Sequence, residues 1–150
     1  MFIFIRHGPV IRIHFLMFGS YSIDEQTKPD SRVRLCLEVG KRKIFFYTCS
    51  VKFVEDPTPV YDWQADVMND AFSIPAARKK LKALPDSMVC DGLLNQDIFS
   101  GVGNIIKNKV LYRIQLDPEF LLGKMPTTVT TKLINETRNY SFDFLEWKRI

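Results

Sequence analysis

The residues with the most specific chemistry lie in a glycine-rich turn between two predicted helices. The turn reads Phe99-Ser100-Gly101-Val102-Gly103-Asn104, and Lys107 and Lys109 follow it in the second helix. Glycines lack a Cβ atom, so backbone N–H groups can approach a phosphate closely, and the start of a helix adds the positive end of its dipole. Asn104 could cap this helix or donate its side-chain amide to a phosphate oxygen. A turn of this kind is more often structural when nothing else indicates a ligand.

Other residues with reactive or ligating side chains fit ordinary structural roles better. His7 and His14 lie in an alternating, strand-like segment with no serine, cysteine or acid at a catalytic spacing. Cys90 falls among apolar residues of a predicted helix, where an inert core thiol is expected. Three aspartates at i, i+4 spacing suit a solvated acidic segment better than a metal site: Asp62, Asp66 and Asp70.

Length and composition limit the class of protein. The chain has 150 residues, 46% hydrophobic and 25% charged, which excludes a disordered tail, a collagen-like fibre or a coiled-coil rod. Its three cysteines, an odd number without a CxxC pair, favour a reduced intracellular protein over a disulfide framework or a cysteine zinc site. No stretch reaches the ~20 apolar residues of a membrane helix. The net charge of +4 favours an anionic partner weakly.

The secondary structure predicted around the turn changes from strands to helices along the chain. Residues 1–56 alternate as β-strands do, and the predicted strands are 2–4, 10–15, 19–23, 32–39 and 44–47. Gly40-Lys41 joins the last two strands into a hairpin. Residues 57–77 are rich in proline and aspartate and are interpreted as a linker. Residues 78–150 have helical periodicity.

Four helices are predicted from caps and spacing. They cover residues 76–84, a segment capped by Asp86 or Ser87 and ending near 97, residues 104–114, and a segment from about residue 127. Asp117-Pro118-Glu119 also has the pattern of a helix start, because aspartate is favoured at the N-cap and proline at the first helical position.

Two longer strings of residues have the order and spacing of a known pattern. One contains Leu93-Leu94-Asn95-Gln96 and then Gly101-Val102-Gly103-Asn104, with Asp117-Pro118 further on. The other is His14-Phe15-Leu16-Met17-Phe18-Gly19-Ser20. The first string is similar to LLDQ-x-x-x-x-G-x-GN and the second to HL-x-M-x-GS. Both strings, over nearly the whole chain, resemble the formamidopyrimidine-DNA glycosylase/endonuclease VIII family.

The resemblance implies a fold and a function. The fold is α+β: a partial antiparallel β-sandwich domain over residues 1–56, the linker 57–77, and an all-α helix–two-turn–helix domain over residues 78–150. The function is that of a bifunctional DNA repair enzyme, which flips a damaged base out of the duplex, cuts its glycosidic bond and nicks the backbone by β-elimination. The implied partner is duplex DNA with a damaged base or an abasic site, bound by a monomer in the cytoplasm with no membrane involved.

The resemblance also implies a set of DNA-binding residues. They are Gly101, Gly103, Asn104, Lys107, Lys52, Met17 and Phe53. Met17 and Phe53 match side chains that fill the space left by the flipped base, and Lys52 matches a neighbouring phosphate contact. For both Met17 and Phe53, packing in the core is an open alternative.

The catalytic residues of the family are not matched. Its nucleophile is an N-terminal proline followed by glutamate, whereas this sequence begins Met1-Phe2-Ile3, and Cys90 stands where the family has a lysine. The family's zinc finger is not found either, so no cofactor is expected. We therefore expect a chain truncated at both ends and catalytically incomplete, with no catalytic residue assigned. The alternatives are a non-catalytic nucleic-acid-binding module and an inert family remnant.

Overall fold

The computed structural model describes residues 1–6, 8–55 and 61–148 and divides into two compact units. The first unit is Met1–Tyr61 and the second is Asp62–Ile150. His7 and residues 57–60 of the predicted linker lie outside the described residues. The first unit holds an antiparallel sheet and the second holds the helices, which confirms the α+β class.

The first unit is built on a four-stranded antiparallel sheet in the order β1-β2-β4-β3. The strands are β1 Phe2–Phe4, β2 Val10–Ile23, β3 Val33–Val39 and β4 Arg42–Val54. Two predicted strands therefore form one long strand, β2, and the return strand of the hairpin extends seven residues beyond its predicted end at Tyr47, to Val54. Ile11, Ile13, Phe46 and Cys49 are buried on one face of the sheet and form its core.

A bulge at Thr48 interrupts this sheet. The regular pairs on either side of it are Phe15 with Cys49 and Ser20 with Tyr47. Residues 16–19 of β2 thus lie opposite the single residue Thr48, which has a φ of +50°. A positive φ is uncommon for a β-branched residue. Extra residues on one strand leave the ladder, so the bulge carries residues 16–19 away from the sheet.

The described residues of the second unit form four α-helices around one hydrophobic core. They are α1 Ile74–Lys82, α2 Val89–Leu94, α3 Asn104–Ile114 and α4 Thr127–Lys148, with a short 3₁₀ turn at Leu122–Lys124. The largest fully buried side chains of this core include Leu81, Leu93, Ile98, Phe99, Leu133 and Ile134. The bounds of α3 are those predicted, because its glycine start and its apolar face are both local features. None of the described helices is long and apolar enough to cross a membrane.

The prediction that Asp86 or Ser87 caps α2 is wrong. The N-cap is Met88, which makes no side-chain capping hydrogen bond. The N–H groups of Val89 and Cys90 donate instead to backbone carbonyls of residues 118–120, at 2.9 and 3.1 Å. A distant loop therefore caps α2, and the helix ends at Leu94 rather than near residue 97.

The same loop contradicts the predicted helix start at Asp117. The Asp117 carboxylate accepts a hydrogen bond from the Glu119 N–H at 2.9 Å, which closes a turn that does not continue as a helix. The Pro118 carbonyl is one of the acceptors that cap α2. The segment therefore makes a tertiary hydrogen bond to α2 and does not begin a helix of its own.

Residues 62–77 of the predicted linker belong to the second unit. Ala65 and Val67 are buried, and Arg138 of α4 donates to the carbonyls of Val67 and Asn69 at 3.0 and 2.8 Å. α1 begins inside the predicted linker, where the Ser73 hydroxyl accepts from the Ala76 N–H at 3.3 Å. These contacts hold the acidic segment against the helices.

Asp62 forms an ion pair with Lys80 of α1, and this pair gives the segment a pH dependence. The Lys80 Nζ lies 2.6 Å from an Asp62 carboxylate oxygen, and its hydrogen bond holds the pKa of Asp62 below the ordinary 3.8. Because the folded pKa is the lower one, the stabilisation is present above about pH 4 and is lost as the pH falls through the folded pKa. Both side chains are partly exposed, so the contribution to the free energy of unfolding is below about 1 kcal/mol.

We expect Lys80→Met to raise the pKa of Asp62 toward its ordinary value, as measured by NMR titration of the carboxyl carbon. Lys79→Met, one position along the same helix, is the control and should leave the pKa of Asp62 unchanged. An equal change in the two variants would contradict the pairing.

Candidate nucleic-acid interface

The glycine-rich turn lies between α2 and α3 and is braced from two sides. The Gln96 side chain donates to the Val102 carbonyl at 2.9 Å and accepts from the Gly101 N–H at 3.1 Å. On the other side, the Ser100 N–H donates to the Ala65 carbonyl at 2.8 Å. Val102 is buried in the helical core. The turn is therefore a rigid feature, since both of its sides and its central side chain are held.

Space over the turn is open at both glycines. Gly101 has a φ of +92°, which glycine adopts without strain, whereas Gly103 has an extended backbone at φ −119°. A Cβ atom on either residue would meet no protein atom within 4 Å. Packing within the described part of the chain thus does not require a glycine at position 103. The absence of a side chain there leaves room for an approaching group.

The start of α3 presents free hydrogen-bond donors. Gly103 is the N-cap residue and, having no side chain, makes no side-chain capping hydrogen bond. The first hydrogen bond of the helix is donated by the Lys107 N–H to the Gly103 carbonyl, at 2.9 Å. The backbone N–H groups of residues 104–106 therefore have no partner inside the helix. Such donors, together with the helix dipole, suit an anion.

Asn104 and Lys107 are already linked at this site. The Lys107 Nζ donates to the Asn104 Oδ1 at 3.0 Å, which orients the amide. The Asn104 Nδ2 is then the atom able to donate to an external oxygen. The first turn of α3 contains no acidic residue, so the local charge is positive.

Met17 lies in the bulge of the first unit and is almost fully exposed. Its exposed fraction is 88%, and its neighbours Leu16 and Phe18 are 53% and 76% exposed. The alternative that Met17 packs in the core is therefore wrong. The bulge opposite Thr48 explains the exposure, because residues 16–19 leave the ladder at that point.

Lys52 and Phe53 lie in regular strand on β4. Phe53 is paired with Ile11 and is 69% exposed, so it is not a core side chain. Five residues of extended chain separate it from Thr48, which places Phe53 and Met17 on the order of 15 Å apart along the sheet. These two candidates therefore occupy different positions along the sheet.

Lys52 belongs to a basic cleft that the sequence analysis missed. The cleft has a volume of about 220 Å³ and is lined by Arg12, His14, Ser50 and Lys52. The antiparallel register pairs Arg12 with Lys52 and His14 with Ser50, so all four share one face. Alternation alone placed His14 on a strand, but only the pairing of β2 with β4 shows which residues stand beside it.

Metal-ligating residues are not clustered in the described ranges. No group of three or more His, Cys, Asp or Glu residues there could hold a metal ion.

Known proteins share both sequence and fold with this chain. No family model matches the chain. It is 32% identical over 150 residues to the Endonuclease 8-like 3 of Mus musculus, covering 95% of this chain and 25% of that relative. It is 30% identical over 150 residues to the Endonuclease 8-like 2 of Mus musculus, covering 92% of this chain and 44% of that relative. The chain thus spans less than half the length of these curated relatives.

Solved structures share the fold at lower identity. A viral DNA glycosylase has a TM-score of 0.76 at 19% identity, covering 97% of this chain and 63% of its own. The Lactococcus lactis Fpg in complex with abasic-site DNA has a TM-score of 0.68 at 17% identity, covering 87% of this chain and 52% of its own. These likenesses establish the same fold over most of the chain.

Proposed function

Since the chain belongs to the formamidopyrimidine-DNA glycosylase/endonuclease VIII family, we propose that it binds duplex DNA containing a damaged base or an abasic site and acts in base excision repair. The observation that carries the proposal is the braced turn at residues 101–104, with open space over two glycines and free N–H donors at the start of α3. A structural neighbour in complex with abasic-site DNA supports the choice of ligand.

In this proposal the turn holds a backbone phosphate of the DNA. The N–H groups at the start of α3 and the Asn104 Nδ2 donate to phosphate oxygens, and Lys107 adds charge. Gly101 and Gly103 allow the close approach. Hydrogen bonds of this charge-assisted kind are short and about twice as strong as neutral ones. Contacts to phosphate position the protein without reading sequence.

The first unit contributes separate contacts. Lys52 and Arg12, side by side on one face of the sheet, supply a second phosphate contact. The exposed Met17 side chain enters the space left by a flipped or missing base. Phe53 stays a prediction for the same role, and its distance from Met17 means that the two would contact different nucleotides.

The direct test is binding of the chain to two duplexes that differ only in one abasic site. Affinity should be higher for the abasic duplex and should fall steeply as salt is raised, because phosphate binding releases counterions. Borohydride is then added to the same mixtures. A covalent complex would assign a Schiff-base step to an amine of this chain, and binding without a covalent complex would assign it DNA recognition alone. The absence of salt-dependent binding would reject the proposed function.

Met17→Ala should separate damage recognition from general DNA binding. Fully burying a methionine side chain is worth about 1.5–3 kcal/mol, so loss of this contact should lower the affinity for the abasic duplex about tenfold. The undamaged duplex offers no such space, and its affinity should change less than about twofold. Both affinities are measured by fluorescence anisotropy at one salt concentration.

The control for this variant is Met68→Ala, which removes another partly exposed methionine, 37% accessible, from the second unit. It should leave both affinities unchanged. A loss of equal size on both duplexes in Met17→Ala would show that Met17 does not recognise the missing base.

A further inference from the structure

A second basic groove lies on the first unit, apart from the residues assigned so far. It has a volume of about 660 Å³ and is lined by Phe18, Lys28, Ser31, Arg32, Arg34 and Thr48. Three of the six residues are cations, two carry hydroxyl groups, one is aromatic and none is acidic. This composition suits an anion with an attached ring.

The positive charge of the groove is not neutralised by the described carboxylates. The ion pairs between described residues use other basic side chains and leave out Lys28, Arg32 and Arg34. The Lys28 Nζ donates to the Ser20 hydroxyl at 2.7 Å and lies 5.5 Å from the centre of the Tyr47 ring, both neutral partners. The Asp30 carboxylate nearby accepts from the Gln26 side chain at 2.6 Å and does not line the groove. An anion entering the groove would therefore meet uncompensated charge.

The bulge explains why these residues surround one groove. Thr48 interrupts the ladder with β2, where Phe18 leaves the sheet, and the pairing of β3 with β4 shifts register between Val33 and Leu35, at Arg34. The pairing of β4 with β2 and with β3 is thus irregular near the same residue, Thr48. Phe18 is 76% exposed at this point. The aromatic side chain and the arginine come from different strands, and each lies at an irregularity in the pairing of its strand with β4.

We propose that this groove binds one nucleotide of a nucleic-acid strand. Its phosphate contacts Arg32, Arg34 and Lys28, with hydroxyl donors from Ser31 and Thr48, and its base lies against the Phe18 ring. A positively charged groove with an exposed aromatic side chain binds nucleotides without sequence preference, by charge and stacking. The inference rests on the proposed function, because it takes the strand to be that of the DNA substrate. It assigns the substrate a contact beyond the turn, the Met17 side chain and the Lys52 cleft.

The test compares Arg34→Gln with Lys41→Gln in the full chain. Both positions are exposed, both lie in the β3–β4 hairpin and both changes remove one positive charge. Lys41 is in the turn at the opposite end of the hairpin, on the order of 20 Å from Thr48. The slope of log affinity against log salt, measured with an abasic duplex, should become shallower by about 1 in Arg34→Gln and should not change in Lys41→Gln.

A second readout follows the base. A duplex with 2-aminopurine beside the abasic site reports stacking on an aromatic ring by fluorescence quenching. Wild type should quench this probe, and Phe18→Ala should lose the quenching. Equal salt slopes in Arg34→Gln and Lys41→Gln, or quenching unaffected by Phe18→Ala, would overturn the inference.

Failure of this inference is distinguishable from failure of the proposed function. If wild type binds the abasic duplex and either readout stays unchanged in the groove variants, the inference alone is overturned. If wild type does not bind DNA, the proposed function fails. Titration with deoxyadenosine monophosphate then tests the groove by itself. Binding that is abolished by Arg34→Gln would support the groove as a nucleotide site, and no binding would overturn the inference.

Discussion

Gly103→Val is expected to weaken binding of the abasic duplex by about tenfold to a hundredfold, the equivalent of about one charge-assisted hydrogen bond. The backbone at Gly103 is extended, and a Cβ atom there would meet no protein atom within 4 Å. The variant should therefore fold as the wild type does. A valine would nevertheless occupy the space through which a phosphate approaches the N–H groups at the start of α3. Anisotropy titration at two salt concentrations measures the loss, and circular dichroism verifies the fold.

Thr128→Val is the matched control for this prediction. It places the same side chain at an exposed position in the first turn of α4, another helix of the same unit. Its affinity for DNA should equal that of the wild type. Gly101 is a poorer choice for the test, because its φ of +92° makes any substitution strain the backbone. Wild-type affinity in a folded Gly103→Val variant would remove the phosphate site from the turn.

Phe99→Ala should lower the free energy of unfolding of the helical unit by about 3–5 kcal/mol, through lost burial and the cavity that remains. Phe99 is fully buried, and its ring centre lies 6.4 Å from that of Phe72. A loss of this size is a large fraction of the ~5–15 kcal/mol that stabilises a domain. Since Phe99 directly precedes the turn, DNA binding should fall as well. Urea unfolding followed by far-ultraviolet circular dichroism measures the change.

Tyr112→Ala is the control for Phe99→Ala. Tyr112 is also aromatic and belongs to the same unit, but it is 68% exposed. Its replacement should change the free energy of unfolding by less than about 0.5 kcal/mol, as exposed substitutions usually do. Equal destabilisation by the two variants would show that Phe99 is not a core side chain in solution.

Features that depend on neighbouring residues could be predicted from the sequence. The bounds of α3 follow from two glycines and an apolar face within one segment, and the β3–β4 hairpin follows from alternation on both sides of a glycine turn. The turn at residues 101–104 was found for the same reason. Its order and spacing relative to Met17 were enough to indicate the family.

Features that depend on distant residues could not be predicted. The cap of α2 comes from carbonyls of residues 118–120, and the cleft around Lys52 comes from its pairing with Arg12. The exposure of Met17 results from a bulge opposite Thr48. Each of these contacts joins segments about 30 or more residues apart, whereas propensity and periodicity report only on a residue's immediate neighbours.

The sequence by itself therefore indicated the family and the α+β class, and it predicted a phosphate-binding role for the turn at residues 101–104. The tertiary structure alone decided which side chains stand beside one another on the sheet and which reach solvent. The physical reason is that strand register and bulges are set by pairing between strands, and a shift of one residue moves every side chain to the opposite face.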